Sequence, residues 1–161
     1  MQSSSELTAF DVVVVGAGPV GLACALEVQR RGLTACVVDK GALVNSILGY
    51  PTNMEFFSTP ELLEIGGHPF PTLHYKPLRE DALDYYRRVA FAEKLQLRLY
   101  ERVLGLEGEQ GRFEVLTSKG RIGCRFVVVA TGFYDVPNYL RVPGEDLPHV
   151  THYYKEPYAH A

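Results

Sequence analysis

Gly16, Gly18 and Gly21 form a GxGxxG pattern that directly follows the apolar run 12–15 and opens a stretch with helical periodicity. That placement gives the spacing chemical meaning. Gly16 permits a tight turn, Gly18 lets a diphosphate approach the backbone, and Gly21 lets the helix pack closely on the strand. The unpaired N–H groups and the dipole of the helix start then face negative charge. Pro19 fits the first helical turn, where its missing N–H costs nothing. Asp39 follows the final glycine by the roughly 20 residues at which such a fingerprint places an acid to accept hydrogen bonds from a ribose 2′-OH. An acid there repels a 2′-phosphate. Lys40, beside it, is counted with the same site. The bland alternative is that the glycines merely turn a strand into a helix and that Asp39 is a solvated strand end.

These residues need a scaffold. Residues 10–15 read as a buried strand, 19–31 as a helix ended by Gly32, and 34–39 as a second buried strand, completing one βαβ unit. The stretch 40–73 is rich in Gly, Pro, Asn and Thr, with one short helical segment expected at 60–65, and a loop of that length is usually functional. An amphipathic helix is expected at 77–94 and a third strand at 95–100. Three short alternating segments, 102–107, 112–117 and 121–124, are separated by Gly-containing turns and predict an antiparallel meander. Residues 126–130 return to the apolar pattern of a central parallel strand that ends at Thr131 and Gly132. The prolines after Phe133 leave a mostly extended tail. The fold class expected is α/β: a Rossmann-like FAD/NAD(P)-binding domain whose parallel sheet carries an antiparallel β-meander insertion.

Composition narrows the function. A 161-residue chain with 47% apolar and 22% charged residues suits one globular domain. A net charge of -3 without a basic cluster argues against nucleic acid as partner. The start 1–9 reads as a disordered tail, not a secretory signal. No apolar run approaches the roughly 20 residues of a membrane span, so a soluble chain is expected. Cys24, Cys36 and Cys124 lack CxxC spacing and read as small buried hydrophobes in a cytoplasmic protein. The five histidines show no metal spacing and read as solvated or capping groups, and no metal site is expected. Tyr85 and Tyr86 read as packing residues. So do Tyr153 and Tyr154, for which a domain outside this chain is the expected packing partner.

A lone fingerprint cannot separate FAD from NAD. The late strand ending Ala130-Thr131-Gly132 brings a second tip of small residues to the same sheet edge. The fingerprint, the meander and that strand together resemble the FAD domain of the pyridine nucleotide-disulfide reductase superfamily. The resemblance implies FAD as cofactor, with Val103 near the adenine through backbone contacts. It also implies that Asn45, Ser46, Tyr50 and Pro51 run beside the riboflavin. Thioredoxin reductases place a CxxC after the Pro-Gly crossover, but 152–158 contains no cysteine. Several segments are instead similar to the bacillithiol-disulfide reductase (YpdA-type) family: VNSILGYPT at 44–52, FFS at 56–58, LEIG at 63–66, Lys76-Pro77, and LPHVTHYYKE at 147–156.

By that resemblance, 10–150 is the FAD-binding domain and 151–161 begins a crossover to an NAD(P)H-binding domain that this chain lacks, so the chain alone is not expected to turn over. The intact protein is then an NAD(P)H-dependent oxidoreductase acting on a small-molecule electron acceptor, with neither a nucleic-acid nor a membrane partner, and a homodimer stays open. One departure bears on chemistry. The family commonly has a cysteine next to the final glycine of the fingerprint, where this chain has Val20. Valine can be neither a thiolate nor a mixed-disulfide partner, and Cys24 lies one turn further along the same helix face. No catalytic residue is assigned. Reduction of a low-molecular-weight disulfide, reduction of another acceptor, a free-standing dinucleotide-binding module and a flavin monooxygenase fragment all remain open.

Overall fold

The computed structural model describes residues 9–160. Of the expected N-terminal tail, 1–8 lies outside the described residues, and Ala9 already belongs to the first strand. The element order is β1 (Ala9–Val15), α1 (Pro19–Arg30), β2 (Ala35–Val38), α2 (Asn45–Leu48), a 3-10 turn (Pro60–Leu62), α3 (Arg79–Ala92), β3 (Gln96–Arg98), β4 (Val103–Glu109), β5 (Arg112–Thr117) and β6 (Gly120–Val129). A last 3-10 turn covers Pro157–His160. Among the described residues, no helix is long and apolar enough to cross a membrane.

The six strands form one sheet in the order β3-β2-β1-β6-β5-β4. β1 is parallel to both β2 and β6, and β2 is parallel to β3. Alternation along β1 explains why both faces are apolar. Val12 and Val14 point to one face and join Leu22, Ala25 and Leu26 of α1 and Tyr85, Tyr86 and Val89 of α3. Val13 points to the other face and joins Cys36, Val38, Val115, Ile122 and Cys124. The meander therefore covers the face that the helices leave bare. Cys36 and Cys124 are buried as expected, and Cys24 is half-buried.

One expectation is corrected here. The segments 121–124 and 126–130 were expected as separate strands, but they form the single ten-residue strand β6. Only Arg125 separates them, and no Gly, Pro or Asn is there to break the extended backbone. β6 pairs antiparallel with β5 from Gly120 to Cys124 and parallel with β1 from Gly123 to Val129, so Gly123 and Cys124 lie between both partners. The meander is thus an extension of the parallel sheet through a shared strand. The helix expected at 60–65 shrinks to the 3-10 turn, and α2 was not anticipated. Helix α3 starts two residues later than expected because Pro77 and Leu78 stay extended. There the Asp81 carboxylate accepts from the Leu78 N–H at 2.9 Å and from the Thr72 hydroxyl at 3.0 Å, capping the helix.

Candidate dinucleotide site

The tips of β1, β2 and β6 meet at one edge of the sheet, where the chain encloses a cavity of about 1000 Å³. Gly16 sits at φ +114°, and a Cβ there would lie 2.2 Å from the Ala130 carbonyl oxygen. The β1 and β6 tips can touch because that side chain is absent. A Cβ on Gly21 would lie 1.9 Å from the Gly16 carbonyl oxygen, so the helix start rests directly on the turn. Gly18 differs: its φ is -78°, and a Cβ would meet nothing within 4 Å. Its missing side chain leaves room on the cavity side, as a closely approaching diphosphate requires. Gly18 caps α1 with no side-chain hydrogen bond, which leaves first-turn N–H groups for a ligand.

Asp39 binds this loop together. Its Oδ2 accepts from the Ala17 N–H at 2.7 Å and its Oδ1 from the Gly41 N–H at 2.8 Å. A carboxylate offers about four lone-pair sites, so each oxygen retains one for a ribose hydroxyl. The Lys40 ammonium lies 2.6 Å from Asp135, joining the β2 tip to the segment after β6. Asp135→Asn is expected to lower stability by less than about 1 kcal/mol, since both side chains are partly exposed. Urea denaturation should show that difference fading at high salt.

Of the sequence-derived site residues, Gly16, Gly18, Pro19, Asp39, Lys40, Asn45, Ser46, Tyr50, Val103, Ala130, Thr131 and Gly132 all line the cavity. Gly21 acts behind the wall, and Pro51 does not line it. Val44 marks the loop before α2: a β-branched residue at φ 47°, ψ 45°, held by burial and by its N–H donating to the Ala17 carbonyl at 3.0 Å. Such a backbone costs on the order of 1–2 kcal/mol and gathers at functional sites. The Tyr134 hydroxyl donates to the Gly49 carbonyl at 2.9 Å, and its ring meets Tyr50 edge-on at 4.8 Å. The post-β6 segment is thereby tied to the loop beside α2.

Sequence reasoning missed several lining residues: Leu62 to Ile65, Tyr86, Arg102, Tyr134 and Asp135. In the sequence, 62–65 reads only as part of a short helix and, at 63–66, as a family-like segment, not as cavity wall; α3 holds it in place: the Tyr86 hydroxyl donates to the Leu63 carbonyl at 2.9 Å, and the Tyr85 hydroxyl accepts from the Ile65 N–H at 2.8 Å. Arg102 and Asp135 adjoin residues already singled out and could have been found by proximity. Histidines serve local contacts, as with His68 against Glu93 at 2.5 Å. Among the described residues, no group of three or more His, Cys, Asp or Glu could hold a metal.

The thiols are unequal. Burial pushes the Cys36 thiol up to about 11 and also raises Cys124, whereas Cys24 lines the cavity. Thiolate, not thiol, attacks a disulfide. Native chain treated with an aromatic disulfide reagent near pH 8 is therefore expected to modify Cys24 alone, and all three thiols once unfolded. A ligand filling the cavity should slow the Cys24 reaction.

A glycine turn between parallel strand and helix, an acid at the next strand tip, and a third small-residue tip beside the turn define a Rossmann-like dinucleotide-binding domain. The chain belongs to the pyridine nucleotide-disulphide oxidoreductase family, whose model matches residues 13–161. Bacilliredoxin reductase Bdr of Bacillus subtilis (strain 168) is 43% identical over 145 residues, covering 89% of this chain and 45% of the relative. Bacillithiol disulfide reductase Bdr (YpdA) from Staphylococcus aureus superposes with TM-score 0.90 at 40% identity, covering 93% of this chain and 46% of that one. The same enzyme from Bacillus cereus gives TM-score 0.88 at 42% identity, covering 92% and 48%. The chain thus spans about half the length of these relatives. The expected superfamily and its YpdA-type branch are both supported, and the Rossmann-like fold with its meander stands.

Proposed function

We propose that this chain forms the FAD-binding region of an NAD(P)H-dependent flavoprotein oxidoreductase that reduces a low-molecular-weight disulfide. The observation carrying this reading is one cavity of about 1000 Å³ that joins Gly16, Gly18 and Asp39 with Ala130 to Gly132 and with the loop at Asn45 to Tyr50. Gly18 and the start of α1 take the diphosphate. Asp39 orients the ribose of the adenosine while bracing the loop. Asn45, Ser46 and Tyr50 border the isoalloxazine, and Thr131 and Gly132 close the opposite wall. FAD supplies two-electron transfer from a nicotinamide to the acceptor, and the protein supplies placement and exclusion of water. A reducing cytoplasm suits the free thiols of Cys24, Cys36 and Cys124.

The visible absorption spectrum of the chain, after addition of FAD and removal of the excess, tests this reading. Retained flavin bands support it, and a chain that stays colourless after FAD addition overturns it. A second reading, electron transfer to an acceptor other than a disulfide, is favoured by Val20. This valine is 68% exposed and lines the cavity where a thiol was expected from the family resemblance. Dithionite-reduced, FAD-loaded chain mixed with bacillithiol disulfide should release thiol under the first reading and none under the second.

A further inference from the structure

Two cations line the cavity, and they differ in one respect. Lys40 is already committed to Asp135 at 2.6 Å. The guanidinium of Arg102 has no hydrogen bond or ion pair among the described residues, although its backbone is fixed on both sides. The Arg102 N–H donates to the Ser118 hydroxyl at 3.0 Å, and its carbonyl accepts from the Ser118 N–H at 2.8 Å. One residue earlier, the Glu101 N–H donates to the Asp39 carbonyl at 2.8 Å. Before that, Tyr100 takes a left-handed backbone, φ 52°, and its N–H donates to the Gly41 carbonyl at 3.0 Å. The turn into β4 is thus stitched to the backbone of the acid at the β2 tip.

Among the described residues, neither neighbouring carboxylate pairs with Arg102. Glu101 is 4% exposed and accepts from the Thr117 hydroxyl at 2.6 Å. The two oxygens of Asp39 hold the Ala17 and Gly41 N–H groups. In a dinucleotide fold the glycine turn takes the diphosphate and the β2 acid takes the adenosine ribose. On the FAD reading, a ribose at Asp39 leaves the base to the wall formed by Arg102 and Val103, whose turn is joined to Asp39 through the Glu101 N–H.

Resting on the FAD reading above, we propose that Arg102 is a specificity-determining residue that lays its guanidinium on the purine and selects an adenine dinucleotide over a flavin mononucleotide. A planar, weakly hydrated cation on a fixed backbone suits the face of a base, which a lysine ammonium cannot cover in the same way. The adenosine half is what FMN lacks, so the contact contributes to FAD and not to FMN.

The test measures binding of FAD, adenosine diphosphate and FMN to the wild-type chain, R102A and R102K by titration calorimetry, with thermal unfolding as the check on folding. Because the side chain is exposed and unpaired, both variants should melt as wild type does. R102A should bind FAD and adenosine diphosphate roughly tenfold more weakly, with FMN affinity unchanged and R102K recovering less than half of the loss. Equal FAD affinity in R102A, equal losses for FAD and FMN, or full recovery in R102K would each overturn the assignment while leaving the FAD reading intact. A wild-type chain that binds neither FAD nor adenosine diphosphate would overturn both.

Discussion

Gly21→Ala is expected to cost the fold about 3–5 kcal/mol and to abolish dinucleotide binding, while Gly18→Ala leaves the fold within about 1 kcal/mol of wild type and damages binding alone. The two glycines are three residues apart in one motif, yet their surroundings are opposite. The new methyl at position 21 would lie 1.9 Å from the Gly16 carbonyl oxygen. That oxygen belongs to the backbone, and Gly16 is itself pressed against Ala130, so no flexible side chain can move aside. Relief requires α1 to lift from β1, which loosens the contact that buries Leu22, Ala25 and Leu26. For a chain of this size the melting temperature should fall by about 10 °C. At position 18 the methyl meets nothing within 4 Å and the backbone is ordinary. It projects where a diphosphate would lie, so FAD affinity should drop by at least about tenfold. Calorimetric melting and FAD titration of both variants separate the roles. A Gly21→Ala chain as stable as wild type would refute the close packing.

Asp39→Ala should lower stability by about 3 kcal/mol in urea unfolding even without ligand, an effect a merely ribose-binding acid would not produce. The carboxylate accepts two backbone N–H groups, from Ala17 at 2.7 Å and Gly41 at 2.8 Å. Hydrogen bonds to a charged acceptor are worth about 1.5–3 kcal/mol, and donors left unsatisfied add a desolvation penalty. Ala17 is fully buried, so water cannot easily replace the lost acceptor. Asp39→Asn should fall in between, because an amide has one acceptor oxygen and its NH₂ faces the second N–H. FAD affinity should decline in both variants, since the same bonds shape the loop around Gly16 to Gly18. Equal stability of Asp39→Ala and wild type would assign the carboxylate to ligand contact alone.

Much of the site was legible because its requirements are local. A tight turn, a close helix contact and an acid at a strand tip each demand a particular residue type at a fixed spacing, and the run from Phe10 to Asp39 displays all of them. The central strands were legible because burial on both faces removes polar residues. The continuity of β6 was less so: an alternating segment and an apolar segment read as two strands when the change of pattern records a change of neighbours. Gly120 to Cys124 pairs with β5, pairing with β1 begins at Gly123, and 126–129 continues beside β1 beyond the β5 register.

By itself, then, the sequence determined the class of fold, the glycine turn, the acid at the β2 tip and the small-residue tip of β6, because backbone sterics and period-2 burial leave their mark on consecutive residues. Tertiary structure alone decided that Asp39 braces the loop, that Asp135 engages Lys40, that α3 holds 62–65 against the cavity, and that the Arg102 guanidinium stands at its wall without a partner among the described residues. Those relations join residues from about 20 to 95 positions apart, or depend on which carboxylates are already occupied. No local spacing encodes a contact that exists only once separate strands and loops have been brought to one edge of the sheet.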